Sequence, residues 1–148
     1  MKKIFGLIIV FFITILLVTG CSNKESSYAA NLFEFEKDQV VVTVDLKDGW
    51  NVEFGINATY LYDKKDAEDV VANAVYVSKD EYKEIVDEYK GYDSYKEIDN
   101  GITFEESTST KYIVKVTDDT YMMVIVRKES KYNAQEVFER FSFKKEEI

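Results

Sequence analysis

Val40, Val42 and Val44 alternate with Val41, Thr43 and Asp45, a two-residue period that predicts a half-buried strand over residues 40–46. Lys47-Asp48-Gly49 supplies a turn, with Gly49 suited to a positive φ. Over residues 50–62 the even positions Trp50, Val52, Phe54, Ile56, Ala58, Tyr60 and Tyr62 are mostly apolar. The odd ones include Asn51, Glu53, Asn57 and Thr59, so the pattern predicts a strand pair, or one long strand bent near Gly55, with the even side inward. A further strand is expected over residues 70–77. Ser78-Lys79-Asp80-Glu81 has the spacing of a capping box, in which the Ser hydroxyl accepts from a free helical N–H and Glu81 reaches back. Behind it, Tyr82, Ile85, Val86 and Tyr89 fall at i, i+3, i+4 and i+7, which predicts a surface helix with one buried stripe, ending at Gly91.

Asn100-Gly101 predicts a tight hairpin, and Asp118-Asp119-Thr120 a second turn between strands over residues 111–117 and 121–127. The second of these, Tyr-Met-Met-Val-Ile-Val-Arg, is nearly all apolar and is the expected central strand. Asn133 and Glu136 open a last helix whose stripe would be Ala134, Val137, Phe138 and Phe141, with Phe143 packing as the chain closes. Strands, helix, hairpin strands and helix in that order predict an α+β domain, an antiparallel β-sheet packed by two main α-helices. Asp48-Gly49-Trp50, Ser78-Lys79-Asp80-Glu81-Tyr82 and Val137-Phe138-x-x-Phe141-x-Phe143, in this order over residues 40–143, resemble the PsbP-like class. That fold is shared by a photosynthetic extrinsic subunit and a Ran-binding Mog-type protein. The resemblance implies an accessory or interaction module and carries over no catalytic residues. A cystatin-like fold is the rival, but it would place a long helix before most of the strands.

The N-terminus has a separate logic. Lys2 and Lys3 precede an uncharged apolar run over residues 4–18, followed by the small residues Thr19 and Gly20. Val18-Thr19-Gly20-Cys21 in that place resembles the lipobox of bacterial lipoproteins. The resemblance implies cleavage before Cys21, loss of residues 1–20 as a signal peptide, and a diacylglycerol on the Cys21 sulfur that holds the protein on the outer side of the cell membrane. Two acyl chains give a stable anchor where one gives only marginal binding. The competing reading is an uncleaved transmembrane anchor, because residues 4–23 carry no charge over about the length of a bilayer span. Residues 21–31 are small and polar and read as a flexible tether, leaving residues 32–148 as one domain.

Composition narrows the chemistry. Loss of Lys2 and Lys3 lowers the net charge from −9 to −11, a poor match for nucleic acid. Cationic ligands, metal ions or a basic protein partner at the membrane surface remain compatible with it. Abundant Lys, Asn, Ile, Tyr and Phe with no Pro point to a low-GC, Gram-positive genome. With no His, and with Cys21 taken by lipid, the usual general base, disulfides and cysteine or histidine metal sites are excluded, and no cofactor is implied.

Three motifs are weighed as catalytic or metal-binding and set aside. Ser142-x-x-Lys145 copies the spacing of penicillin-recognising serine enzymes but falls at a helix end, without their other motifs. Glu105-Glu106, as strand neighbours, should point to opposite faces, against the facing pair that a carboxylate-dependent hydrolase needs. Asp118-Asp119 could hold calcium but lacks EF-hand spacing. Trp50, Tyr89, Tyr92 and Tyr95 are the binding candidates, since 11 tyrosines are many for this length and Tyr is enriched where proteins meet partners. The expected function is a non-enzymatic binding or accessory module, with a small-molecule or cation-binding lipoprotein as the alternative and a hydrolase a distant third. Substituting Cys21 with Ala should move the protein from the membrane to the soluble fraction. Retention of an uncleaved chain in the membrane would instead identify a transmembrane anchor.

Overall fold

A computed structural model describes residues 12–13 and 28–147; the lipobox, including Cys21, lies outside the described residues. Two antiparallel sheets form the body. The smaller contains β1 (Phe12–Ile13), β2 (Tyr28–Glu34), β3 (Gln39–Asp45) and β11 (Phe141–Glu146), in the order β1-β2-β3-β11. The larger contains β4 (Asn51–Phe54), β5 (Ala58–Tyr62), β6 (Val70–Ser78), β7 (Lys96–Ile98), β8 (Gly101–Glu105), β9 (Ser109–Lys115) and β10 (Thr120–Arg127). Its order is β4-β5-β6-β10-β9-β8-β7, which puts the apolar β10 at the centre as its sequence predicts. Helix α1 (Lys79–Tyr89) covers part of the larger sheet, and α2 (Ala134–Phe138) leads into β11. No helix among the described residues is long and apolar enough to cross a membrane.

The expected α+β domain with two main helices on one sheet is not what forms. Strand makes up 51% and helix 13% of the described residues, arranged as two antiparallel sheets with two short helices. The divergence lies at the C-terminus. Phe138 and Phe141, placed on one helical stripe by their spacing, separate: the helix stops at Phe138, and Phe141 opens a strand opposite Val44. Phe138 stacks on Tyr112 of the larger sheet at 4.3 Å, while Phe141 joins the smaller sheet. The expected tether is also shorter, because Tyr28, Ala29, Ala30 and Asn31 already belong to β2 and pair with β3.

Between the sheets, Val40, Val42 and Val44 of β3 are fully buried against Leu61, Ala72, Ala74, Met122, Val124 and Val126. Alternation on β10 sends Tyr121 to the opposite face, where it joins Val77, Ile102, Phe104 and Ile113 beneath the α1 stripe Tyr82, Ile85, Val86 and Tyr89. The molecule is therefore layered as small sheet, large sheet and helix. The capping box forms as expected: Glu81 N–H donates to Ser78 Oγ at 3.2 Å, and Ser78 N–H donates to Glu81 Oε2 at 2.8 Å.

Two turns show what alternation alone misses. The β4–β5 hairpin pairs Phe54 with Thr59 and Val52 with Leu61, so the inward side changes from even to odd across the turn. Thr59 and Leu61 are buried, and Ile56 at the turn is 73% exposed. At Gly101 the backbone lies so close to Ile113 that an added Cβ would sit 1.9 Å from its carbonyl oxygen. This close approach lets the Asn100 side-chain amide donate to the Lys115 carbonyl at 2.6 Å.

Asp38 ties the two sheets together at one end. From the β2–β3 turn its carboxylate accepts the hydroxyls of Thr117, at 2.5 Å, in the β9–β10 turn, and of Thr120, at 2.7 Å, the first residue of β10. These hydroxyls hold Asp38 below its ordinary carboxylate range against the opposing effect of burial, and Lys145 adds to the effect. A lowered folded-state pKa contributes stability that is present above the unfolded value near 4 and is lost as pH falls through the folded value. Asp38→Ala should cost about 2–3 kcal/mol by denaturant titration at neutral pH, because two hydroxyls lose a charged acceptor. Asp38→Asn should flatten the acid limb of the stability profile below pH 4.

Candidate functional site

Two of the predicted binding tyrosines meet directly at the end of α1, with the third beside them, and Trp50 does not join them. Tyr89 is the last residue of the helix; its ring stacks on Phe104 at 4.1 Å and meets Tyr92 edge-on at 5.2 Å. Gly91 lies in the turn that follows, and Tyr92 stands 54% exposed beyond it. Tyr95 packs half-buried against the cluster beneath α1. Trp50 sits 5% exposed in the core between the sheets. There it lies 4.6 Å from Tyr132 and beneath the Arg140 guanidinium at 4.9 Å, and Arg140 itself donates to the carbonyls of Asp45 and Lys47. This tryptophan seals one end of the sandwich, which leaves the tyrosines as the surface aromatics.

The group that organises the tyrosines is Glu106, in the turn between β8 and β9. Its Oε1 accepts the Tyr89 hydroxyl at 2.6 Å and faces the Lys111 ammonium at 2.8 Å. Lys111 in turn lies over the Phe104 ring at 5.9 Å, so helix, turn and sheet share one polar knot. Lys111 and then Tyr89 hold the Glu106 carboxyl below its usual range, against partial burial. The hydrogen bond to Glu106, followed by burial, pushes the Tyr89 hydroxyl up to about 12. At neutral pH the carboxylate is therefore charged and the phenol neutral.

Two clefts meet at Glu106. One, of about 430 Å³, runs over the part of the large sheet that α1 leaves uncovered and is lined by Asn73, Ser109, Lys111, Ile125 and Arg127. The other, of about 590 Å³, is an open trough containing Tyr92, Asp93, Ser94, Ser107 and Lys128. Ser94 Oγ accepts the Glu105 backbone N–H at 3.1 Å, which fixes the segment after α1 on the end of β8. On the other face of the sheet, a groove of about 400 Å³ has Tyr112 and Phe138 among its walls, with Thr103, Thr110, Glu105 and Gln135.

The motifs set aside as catalytic have other partners. Glu105 pairs with Lys128 at 3.0 Å, so the adjacent Glu105 and Glu106 serve different neighbours. Asp118 pairs with Lys115 at 2.8 Å, and Asp119 lies 3.7 Å from Lys37. Ser142 belongs to β11, and Lys145 faces Asp38 at 3.5 Å. Among the described residues no group of three or more His, Cys, Asp or Glu is placed to hold a metal ion. Sequence reasoning did not single out Lys111, which reaches Glu106 across the β8–β9 turn. The hairpin spacing contained that signal, since a five-residue separation across a tight turn returns the chain beside itself.

Comparison with protein-family models, with curated protein sequences and with solved structures finds no match. The lipobox and the PsbP-like resemblance consequently rest on the residues quoted for them.

Tyr89→Phe should lower stability by about 1–3 kcal/mol at pH 7 through loss of one hydrogen bond to a charged group. The raised Tyr89 pKa contributes stability that is complete below pH 10 and lost as pH rises to about 12, so the variant should also lose that part of the alkaline transition. Urea unfolding followed across pH 8 to 12 measures both.

Proposed function

We propose that this chain is a lipid-anchored, extracytoplasmic binding module whose working surface is the tyrosine patch around Glu106. The observation that carries the reading is Tyr92, a large aromatic more than half exposed in the open trough that meets the second cleft at Glu106. Aromatic rings beside a fixed charge are the usual anchors of protein contacts, because they bury much area at little conformational cost. Anchoring comes from the Cys21 lipobox, and attachment through residues 22–27 keeps the domain near the bilayer. What favours binding over hydrolysis is the state of the carboxylates. Glu106, Asp38 and Asp63 are all shifted down by their partners, whereas a hydrolase needs one carboxyl held protonated near neutral pH.

A small-molecule reading has its own observation, the groove bordered by Tyr112 and Phe138, whose volume falls in the range of ligand pockets. One experiment separates the two. Thermal unfolding of the mature chain is recorded against cations, wall fragments and small metabolites. A ligand at about a hundred times its dissociation constant adds roughly 2.7 kcal/mol and raises the midpoint by roughly 5–10 °C. The protein-partner reading expects no such shift. It expects Tyr92→Ala to cost no more than about 0.5–1.5 kcal/mol, the worth of its edge-on contact with Tyr89, while abolishing photo-crosslinks formed from position 93 in intact cells. A reproducible ligand shift, with crosslinks indifferent to Tyr92, would replace it with the small-molecule reading.

A further inference from the structure

The outer edges of the two sheets differ in how they are protected against pairing with another chain. In the large sheet, β4 is four residues long and carries Glu53, and β7 is three residues long and carries Lys96 and Glu97. In the small sheet, β11 ends in Lys144-Lys145-Glu146. Short strands and charges are the devices that keep edges from pairing. The opposite side of the small sheet is long and charged only at its last residue. There β2 runs seven residues as Tyr-Ala-Ala-Asn-Leu-Phe-Glu, with Glu34 its single charge, and its outer side is taken by β1 through Phe12↔Asn31 and Ile13↔Ala30. This inference rests on the anchoring reading above, under which loss of residues 1–20 takes β1 away and opens that edge.

We infer that β2 of the mature protein pairs antiparallel with β2 of a second copy, about a two-fold axis at Asn31. The orientation is the one the edge already accepts, with Asn31 and Leu32 of the second copy taking the places of Phe12 and Ile13. The register is self-complementary. Asn31 faces its own copy, Leu32 faces Ala30, Phe33 faces Ala29, and Glu34 faces Tyr28, so no like charges meet. A second observation lies on the axis. With β1 still opposite it, Asn31 is 2% exposed and its Oδ1 has no hydrogen-bond partner among the described residues; loss of β1 leaves that oxygen to be met by a second copy or by water. A buried amide oxygen without a donor is unfavourable. Directly opposed cross-strand side chains lie about 5 Å apart at Cβ, so each Asn31 amide would supply the donor the other lacks.

Seven paired residues make a small interface, and the anchor compensates by concentrating it. Residues 22–27 reach at most roughly 25 Å from Cys21, which holds the β2 edges of neighbouring copies in one thin layer above the bilayer. Confinement of this kind raises effective concentration without new contacts.

The test uses the full chain expressed in a bacterial host and isolated membranes. Cys21 is the only natural cysteine, so an introduced one is the sole free thiol once Cys21 is acylated. Mild oxidation of Asn31→Cys membranes should give a disulfide dimer several-fold more abundant than Glu34→Cys, whose partner is Tyr28. Adding Leu32→Lys or Ala30→Lys should reduce the dimer several-fold while leaving the melting midpoint unchanged. Gel mobility and mass report signal-peptide removal and acylation separately. Processed protein with no Asn31→Cys dimer, or with equal dimer from Glu34→Cys, overturns the pairing and leaves the anchor intact. An unprocessed precursor overturns the anchor and the inference with it, and the two failures are told apart by mass.

Discussion

The apolar seam between the two sheets is the contact on which the rest of this molecule depends. Val40, Val42 and Val44 present three fully buried side chains on one face of β3, and each such burial is worth about 1.5–3 kcal/mol. Opposite them, Ala72 and Ala74 leave room that Leu61, Met122, Val124 and Val126 fill. The seam also decides the fate of the chain ends. β2 and β11 have no sheet to join except the one β3 provides, so both termini of the domain are recruited to its two sides.

The large sheet is therefore served unequally on its two faces. One is sealed by a sheet; the other is covered by an 11-residue helix in which no residue is fully buried. Tyr82 and Tyr89 stack on Tyr121 and Phe104, and the Glu106 knot secures the far end of the helix. Beyond that knot the sheet is bare, which is where the clefts open and where Tyr92 projects. The proposed working surface follows from incomplete coverage by a short helix. The proposed dimer edge lies on the other sheet, so one copy could use both at once.

Much of the interior was legible because it is built from local patterns. Alternating valines, a capping box, a heptad-like stripe and Asn-Gly each act within ten residues and form where their sequence predicts. The errors lie where a distant partner decides. Phe141 fits a helical spacing from Phe138 and a strand spacing to Phe143, and only pairing with Val44, almost a hundred residues earlier, selects the strand. Residues 28–31 are small and polar enough to read as tether, yet β3 offers them a ladder. The inward phase of residues 58–62 was reversed by a turn whose length sets parity, which periodicity does not register. Trp50 was a binding candidate by residue type although its alternation already pointed it inward, and the core position is the one it takes.

Residue-resolved hydrogen exchange at neutral pH tests the seam most directly. If it governs stability, amides of β3 and β10 exchange slowest and together, at the rate of global unfolding, while α1 opens earlier by local fluctuation. Protection of α1 equal to that of β10, or release of β3 in a separate and faster phase, would contradict the account by showing that the two sheets are not held as one unit.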